Sequence, residues 1–179
     1  LIADEVVTGF GRTGEWFAMD HYDVVPDIVA MAKGISSSYI PFGAVAVSAA
    51  LNAPFEAGEA HFLHGFTNGG HPLGCAAGCE LISIIRDEGL LDNCRRQSEV
   101  LFSYKEQLLG HPTVRDVRGW GMMMVLELIK DKESLEFFDA SIQAEKLYSA
   151  ITLKHGLVMY GALYGPRRQP AFRRGIPSW

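Results

Sequence analysis

A carboxylate and an amine, Asp4 and Lys33, each follow a short apolar run that is typical of a buried strand. Leu1 to Ala3 precedes the acid, and Asp27 to Ala32 precedes the amine. In doubly wound α/β sheets, ligands bind at the carboxyl ends of the strands. The spacing therefore predicts that the two side chains reach one sheet edge, where both could face a single bound molecule.

One chemistry that needs such a pair is that of pyridoxal phosphate. A lysine forms the Schiff base with the cofactor, and an acid holds the pyridine nitrogen protonated. The alternative is that Asp4 and Lys33 are solvated surface charges, which is the common fate of both residue types. The spacing alone leaves both interpretations open.

The elements that must position this pair alternate between strands and helices, which predicts an α/β fold. Three apolar runs indicate strands of one sheet, and a short helix between the first two makes a β-α-β unit. A longer helix is expected to begin at a proline and to carry small residues for close packing. The predicted strands are Leu1 to Ala3, Asp27 to Ala32 and Gly43 to Val47, and the helices are Glu15 to Tyr22 and Pro72 to about Asp87, with Gly74, Ala76, Ala77 and Gly78 as the small residues.

A second region is expected from Leu90 onward, where the pattern becomes that of a charged amphipathic helix. Strands and helices then alternate again. The predicted elements are a helix from Leu90 to about Leu109, strands Val114 to Val117 and Met122 to Ile129, a helix from Phe137 to His155, and a strand from Leu157 to Tyr160.

Composition excludes several classes of protein. The 179 residues are 48% hydrophobic and 21% charged, as in packed globular proteins, and the net charge of −5 gives no general attraction to nucleic acid or to an anionic membrane. The longest nearly apolar stretch, Met122 to Ile129, is far shorter than the roughly 20 residues that span a bilayer. Three cysteines without paired spacing favour a reduced, cytoplasmic setting, with Cys75 and Cys79 expected to be small buried residues.

Two further patterns are better explained without a ligand. His61, His64 and His71 have no carboxylate or cysteine at ligand spacing, so a metal site is not expected. Gly9, Gly11 and Gly14 match a phosphate-loop spacing but do not open a long helix directly, so they are interpreted as a turn-rich connector.

Four blocks of the sequence resemble, in order and in spacing, the class III pyridoxal-phosphate-dependent aminotransferases of the ω-transaminase type. The resemblance fades only after about Tyr160, and it implies the C-terminal portion of a fold type I transferase. Residues 1–88 would then be part of the large cofactor-binding domain, and residues 89–179 an incomplete small α+β domain. The blocks are Leu1 to Gly14, Pro26 to Ala44, His64 to Ala77, and Val117 to Met122.

The resemblance implies a role for four residues. Lys33 would be the catalytic residue and form the internal aldimine, Asp4 would pair with the pyridine nitrogen, and Val6 would pack on one face of the ring. Without the resemblance, Val6 would be an ordinary core residue. Thr67 would bind the phosphate of the cofactor held by the neighbouring subunit, so a homodimer is implied.

The implied reaction moves an amino group from an amine or amino acid to a keto or aldehyde acceptor. Two alternatives remain at this stage. The protein could be an aminomutase or a decarboxylating relative that uses the same cofactor chemistry. The chain could also be a non-catalytic truncated fragment, since it opens without Met inside an apolar run.

The sequence departs from the family pattern at two places within the chain. Ser38 stands where family members often have glycine, so a shifted loop beside Lys33 is expected. Leu157 to Tyr160 lacks the arginine that many members use to hold a substrate carboxylate. The candidates to replace that arginine are Arg167, Arg168, Arg173 and Arg174.

Overall fold

A computed structural model describes residues 1–161, and the chain divides into two compact units. The first unit comprises Leu1–Ser103 and Gly119–Met124, and the second comprises Tyr104–Arg118 and the chain from Val125 onward. The boundary predicted between the large domain, residues 1–88, and the small domain, residues 89–179, stays a prediction.

The first unit is built on a three-stranded sheet in the order β1-β2-β3. Its strands are β1 (Ile2–Asp4), β2 (Ile28–Met31) and β3 (Ala44–Val47), which confirms the three predicted strands. β1 and β2 are parallel, and β2 and β3 are antiparallel. With the helices described below, this sheet confirms the α/β class.

The connection from β1 to β2 contains less helix than predicted. Only Ala18–Tyr22 is helical, as a 3-10 helix. Phe17 has an extended backbone, and its N–H donates to the Asp20 carboxylate at 2.9 Å, so the helix cannot begin before Ala18. The connector is the segment between β1 and β2, residues 5–27. Before its 3-10 helix, residues 6–13 consist of turns, as the glycines of this segment predicted.

Three α-helices belong to the first unit: α1 (Ala49–Glu56), α2 (Pro72–Asp87) and α3 (Leu90–Ser103). The sequence analysis missed α1, which is short and contains Pro54. Its first turn is capped by Ser48, whose Oγ accepts from the Leu51 N–H at 3.4 Å. The predicted bounds of α2 are confirmed, and Pro72 is its first residue.

Glycines in α2 allow close packing on an aromatic ring. A Cβ built on Gly74 would lie 2.8 Å from Phe42 Cδ2, and one built on Gly78 would lie 3.3 Å from Phe42 Cε1. Cys75 and Cys79 each follow one of these glycines, about 100° around the helix, and both are exposed. The prediction that these two cysteines are buried is therefore wrong.

The helix predicted from Leu90 to Leu109 is interrupted at Tyr104. α3 ends at Ser103, and a separate short helix, α4 (Lys105–Leu109), belongs to the second unit. The Ser103 hydroxyl donates to the Val100 carbonyl oxygen at 2.7 Å. Such local bonds from serine compete with the helical ladder, which explains why the helix stops there.

A two-stranded sheet follows, formed by β4 (Val114–Trp120) and β5 (Met123–Leu128). Both strands were predicted within a few residues. A connection of two residues permits only an antiparallel hairpin. Among the described residues of the second unit, the most buried apolar ones lie in or beside this sheet: Val114, Val117 and Ile129.

The helix predicted from Phe137 to His155 is wrong in its first half. Helix α5 covers Ala144–Lys154, preceded by a 3-10 turn, and Gln143 has a left-handed backbone that separates the two. The Asp139 carboxylate accepts from both the N–H and the hydroxyl of Ser141, which fixes a turn in place of a helix. The strand predicted at Leu157 to Tyr160 is also absent, since these residues have no regular secondary structure.

Arg118 joins two carboxylates on the β4-β5 hairpin. Its guanidinium lies 2.7 Å from Asp116 and 3.0 Å from Glu127. The hydrogen bond from Arg118 holds the pKa of Asp116 below its usual value. This contribution to stability is present above the carboxyl's ordinary pKa and is lost as the pH falls through the lowered value.

We expect Asp116→Asn to make the free energy of unfolding depend less on pH below neutrality. The protein should lose less unfolding free energy between about pH 7 and about pH 3 than the wild type does. The effect is small, since both partners are substantially exposed. Chemical denaturation at the two pH values measures it, and equal losses in both proteins would contradict the assignment.

Among residues 1–161, no helix is long and apolar enough to cross a membrane.

Candidate active site

Lys33 lies two residues beyond the end of β2, as the first residue of a 3-10 helix, Lys33–Ser36. Its side chain is exposed, and its backbone is left-handed, with φ of +44°. A depression of about 240 Å³ surrounds it. The lining residues are Lys33, Ser36, Ser38, Ile40, Pro41 and Phe42.

Asp4 is the last residue of β1 and pairs in register with Ala30 of the parallel strand β2. Lys33 follows Ala30 by three residues, so the structure places the acid and the amine at the carboxyl ends of neighbouring parallel strands. The Asp4 carboxylate is exposed and accepts from the Val6 N–H at 3.1 Å. Both groups therefore remain available to a ligand at this edge.

The other two predicted site residues lie outside the depression around Lys33. Val6 is half-buried just after β1, and Thr67 begins an exposed turn. Of the four predicted residues, only Lys33 lines the depression. The roles assigned to Asp4, Val6 and Thr67 stay predictions.

The histidines that suggested a metal are all exposed: His61, His64 and His71. Within the described part of the chain, no group of three or more histidines, cysteines or carboxylates is arranged to hold a metal ion. The arginines that were candidates for a substrate carboxylate lie outside the described residues.

Tight packing fixes the backbone around Lys33. A Cβ built on Gly34 would lie 2.9 Å from Phe10 Cβ and 3.1 Å from the Gly9 carbonyl oxygen. On the other side of the loop, the buried Ser36 hydroxyl donates to the Ile40 carbonyl oxygen at 2.9 Å. The loop that carries the lysine is thus held from both the connector and its own far end.

The connector glycines have a structural explanation. A Cβ on Gly11 would lie 3.0 Å from Leu91 Cδ2, and one on Gly14 would lie 3.0 Å from Arg95 Cγ, both on α3. Both glycines also have positive φ, of +88° and +93°. These contacts account for the glycine spacing as a packing motif against α3.

Sequence analysis gave no role to Glu5, which is only 2% exposed. Its carboxylate accepts from the backbone N–H groups of Ala18 and Met19, at 3.0 and 2.9 Å, and from the Thr8 hydroxyl. The available signal was its position, directly after Asp4. A buried carboxylate with three donors fixes the segments that provide them.

Ser38, which stands where family members often have glycine, has a backbone conformation that favours glycine. Its φ is +59°, a left-handed conformation that favours glycine, and Ser37 beside it has φ of +47°. The backbone at Ser38 thus suits glycine although the residue is serine, and the shifted loop stays a prediction.

We expect Ser38→Gly to stabilise the protein by about 0.5–1 kcal/mol, because glycine adopts this conformation without the Cβ clash. Thermal or chemical denaturation measures the gain. Ser38→Ala is the matched control and should give no gain, since alanine has the same Cβ. A gain of equal size in both variants would show that removal of the hydroxyl, not backbone strain, is responsible.

The structure of this chain resembles solved structures of transaminases. Of the solved structures that resemble this chain, an (S)-enantioselective omega-transaminase from Thermomicrobium roseum has a TM-score of 0.85 at 39% identity, over 90% of this chain and 36% of that one. A PLP-bound aminotransferase mutant from Vibrio fluvialis has a TM-score of 0.83 at 34% identity, over 90% and 36%. The fold is that of the fold type I pyridoxal-phosphate-dependent transferases.

The amino-acid sequence of the chain also shows the family to which it belongs. The family described as aminotransferase class III matches residues 1–162, so the chain belongs to the class III aminotransferases. The putrescine–pyruvate aminotransferase of Pseudomonas aeruginosa is 41% identical over 77% of this chain and 30% of its own length. The diaminobutyrate–2-oxoglutarate transaminase of Halomonas elongata is 41% identical over 88% and 34%. The chain spans about a third of the length of these curated relatives.

Proposed function

We propose that the complete gene product carrying this chain is a pyridoxal-phosphate-dependent aminotransferase. It moves an amino group from an amine or amino acid to a keto or aldehyde acceptor. The observation that carries the proposal is the placement of Lys33 and Asp4 at one edge of parallel strands, in a chain of the class III aminotransferase family.

The residues present fit the cofactor. The Lys33 amine is exposed beside a depression of about 240 Å³, so an aldehyde can reach it. The exposed Asp4 carboxylate supplies the negative charge that a protonated pyridine nitrogen needs. Lys33 would hold the cofactor through its amine and Asp4 through the ring nitrogen, with Val6 against the ring and Thr67 at the phosphate.

When bound, pyridoxal phosphate supplies an electron sink for the bonds at the substrate α-carbon. The chain supplies the proton transfer. Lys33 would act as general base and then general acid, because its amine would hold the proton that leaves the substrate α-carbon and then give it back. To accept that proton the amine must be uncharged. The packing of Gly34 on the connector keeps the lysine loop in place.

The names of two relatives each pair an amino-group donor with a keto acid, putrescine with pyruvate and diaminobutyrate with 2-oxoglutarate. These names support an amine donor and a keto-acid acceptor here.

A homodimer is part of the proposal, with Thr67 serving the cofactor site of the neighbouring subunit. The segment before Thr67 carries large apolar side chains that are mostly exposed: Phe62 at 73%, Leu63 at 96% and Phe66 at 72%. An exposed apolar segment beside Thr67 suits a subunit contact.

A reduced, cytoplasmic setting is supported by the three free cysteines, Cys75, Cys79 and Cys94.

The decisive experiment is trapping of the cofactor on its lysine. The complete gene product is incubated with pyridoxal phosphate, reduced with borohydride and digested, and the peptides are weighed by mass spectrometry. The added mass is expected on the peptide that contains Lys33, and Lys154, an exposed lysine at the end of α5, serves as the internal control. Attachment elsewhere, or none, would overturn the proposal.

Product analysis separates the reaction from its alternatives. An aminotransferase places the donor's amino group on a separate keto acid. An aminomutase returns the amino group to the same carbon skeleton, and a decarboxylating relative releases carbon dioxide. Isotope labelling of the donor nitrogen distinguishes the three outcomes, and only label in the acceptor supports the proposal.

A further inference from the structure

We infer that Glu5 is a positioning residue that holds Asp4 and Lys33 in register, an inference that rests on the proposed function. Glu5 sits between Asp4 and Val6, at the carboxyl end of β1. Its main chain is bonded on both sides: its N–H donates to the Ala30 carbonyl oxygen at 2.9 Å, and its carbonyl oxygen accepts from the Gly9 N–H at 3.0 Å. The residue thus joins the strand ladder to the connector.

The side chain of Glu5 reaches a second segment. Its carboxylate accepts from the N–H groups of Ala18 and Met19, which open the 3-10 helix of the connector. These donors have no partner within the short helix, because the first N–H groups of a helix lack an acceptor. The Glu5 residue is itself only 2% exposed, and a buried carboxylate that lost these hydrogen bonds would be costly, so the two partners depend on each other.

A chain of contacts leads from this helix to the lysine loop. The Phe17 ring precedes Ala18 and packs edge-on against the Phe10 ring, with centroids 5.6 Å apart. Phe10 and the Gly9 carbonyl in turn contact Gly34, which directly follows Lys33. Glu5 therefore fixes both Asp4, through the main chain, and the support of Lys33, through Phe17 and Phe10.

The chain offers a matched control for this role. Asp20 also caps the same 3-10 helix, by accepting from the Phe17 N–H at 2.9 Å, but it is exposed and has no bond to β1. Asp20→Asn keeps a carbonyl oxygen that can accept from the Phe17 N–H, so Phe17 stays in place and only the charge at this end of the helix is lost. Glu5→Gln keeps the size of the side chain, yet its amide must turn an N–H₂ group toward at least one backbone N–H donor.

The first measurement uses the cofactor-free protein, by amide hydrogen exchange. In Glu5→Gln, exchange should accelerate by about fivefold or more at the Gly9 and Ile35 N–H groups, as well as at Ala18 and Met19. In Asp20→Asn, the acceleration should stay near Phe17. Protection at Gly9 and Ile35 that is unchanged in Glu5→Gln would overturn the inference, whether or not the protein is an aminotransferase.

The second measurement is the affinity for pyridoxal phosphate. We expect Glu5→Gln to bind it about tenfold more weakly, the size of effect seen when residues that support ligand-binding groups are changed. The pH midpoint of the absorbance of the lysine-bound cofactor should shift too, a readout that a loss of stability alone would not move. Asp20→Asn should match the wild type in both.

The two proposals fail in different ways. A wild-type protein without attachment at Lys33 overturns the proposed function and with it the role of Glu5 in that reaction. Normal attachment in the wild type, together with unchanged affinity and pH midpoint in Glu5→Gln, overturns the positioning role alone. If Glu5→Gln does not fold, Thr8→Val removes one donor to the same carboxylate and should shift affinity and exchange in the same direction.

Discussion

Replacing Lys33 by alanine is expected to lower the rate of amino transfer by about a thousandfold or more. In the proposed reaction the lysine amine both bonds the cofactor and moves the proton, and general acid–base catalysis alone contributes typically 10²–10⁴-fold. The fold should not change. Lys33 is exposed, so its side chain contributes little to packing. Its φ of +44° is strained for any residue with a Cβ, so the backbone strain is the same with lysine and with alanine.

Lys33→Arg separates the chemistry of the amine from its charge. Arginine keeps the positive charge and most of the length, but its guanidinium stays protonated and is a poor nucleophile. It should lose activity to the same extent as alanine. Lys154→Arg, at an exposed position, controls for lysine replacement and should keep wild-type activity. Steady-state rates with a keto acid acceptor measure all three, and substantial activity in either Lys33 variant would contradict the proposed role.

The placement of the candidate site was predictable because it depends on local pattern. Each strand of the three-stranded sheet is a short apolar run bounded by turn-forming residues, and such runs indicate strands without knowledge of the fold. Since Asp4 and Lys33 directly follow two of these runs, their position at strand ends follows as well. Pro72 located the start of α2 in the same way, by the fixed geometry of one residue.

Two errors in the predicted helices occur where a side chain competes with the backbone pattern. The helix predicted from Phe137 fails because the Asp139 carboxylate binds the N–H and hydroxyl of Ser141. The helix predicted through Leu109 is interrupted where Ser103 bonds the Val100 carbonyl. Apolar periodicity does not register these bonds, since it depends only on where the apolar residues lie and not on the bonds that polar side chains make.

Glu5 was missed for a related reason. A glutamate after Asp4 has no pattern that distinguishes it from a surface charge, and only the fold brings the N–H groups of Ala18 and Met19 to it. Its partners are 13 and 14 positions away along the chain. The roles of Val6 and Thr67 involve a cofactor and a second subunit, so they stay predictions from the family resemblance.

Gly121 is a position at which we expect a substitution to lower stability strongly. It is buried, its φ is +59°, and a Cβ built on it would lie 2.4 Å from the Arg12 carbonyl oxygen and 2.5 Å from Thr13 Cα. These atoms belong to the backbone of the connector, so they cannot turn away as a flexible side chain could. The Met122 N–H also donates to the same Arg12 carbonyl oxygen at 3.0 Å, which holds the two segments together.

We expect Gly121→Ala to lower the free energy of unfolding by about 3 kcal/mol or more, because backbone strain and overlap add. Gly89→Ala isolates the strain. Its φ of +62° is almost the same, but no heavy atom of the described residues lies within 4 Å of a Cβ built there beyond its immediate neighbours. That variant should cost only about 1 kcal/mol. Chemical denaturation compares them, and equal losses would mean that the connector moves aside to admit the methyl group.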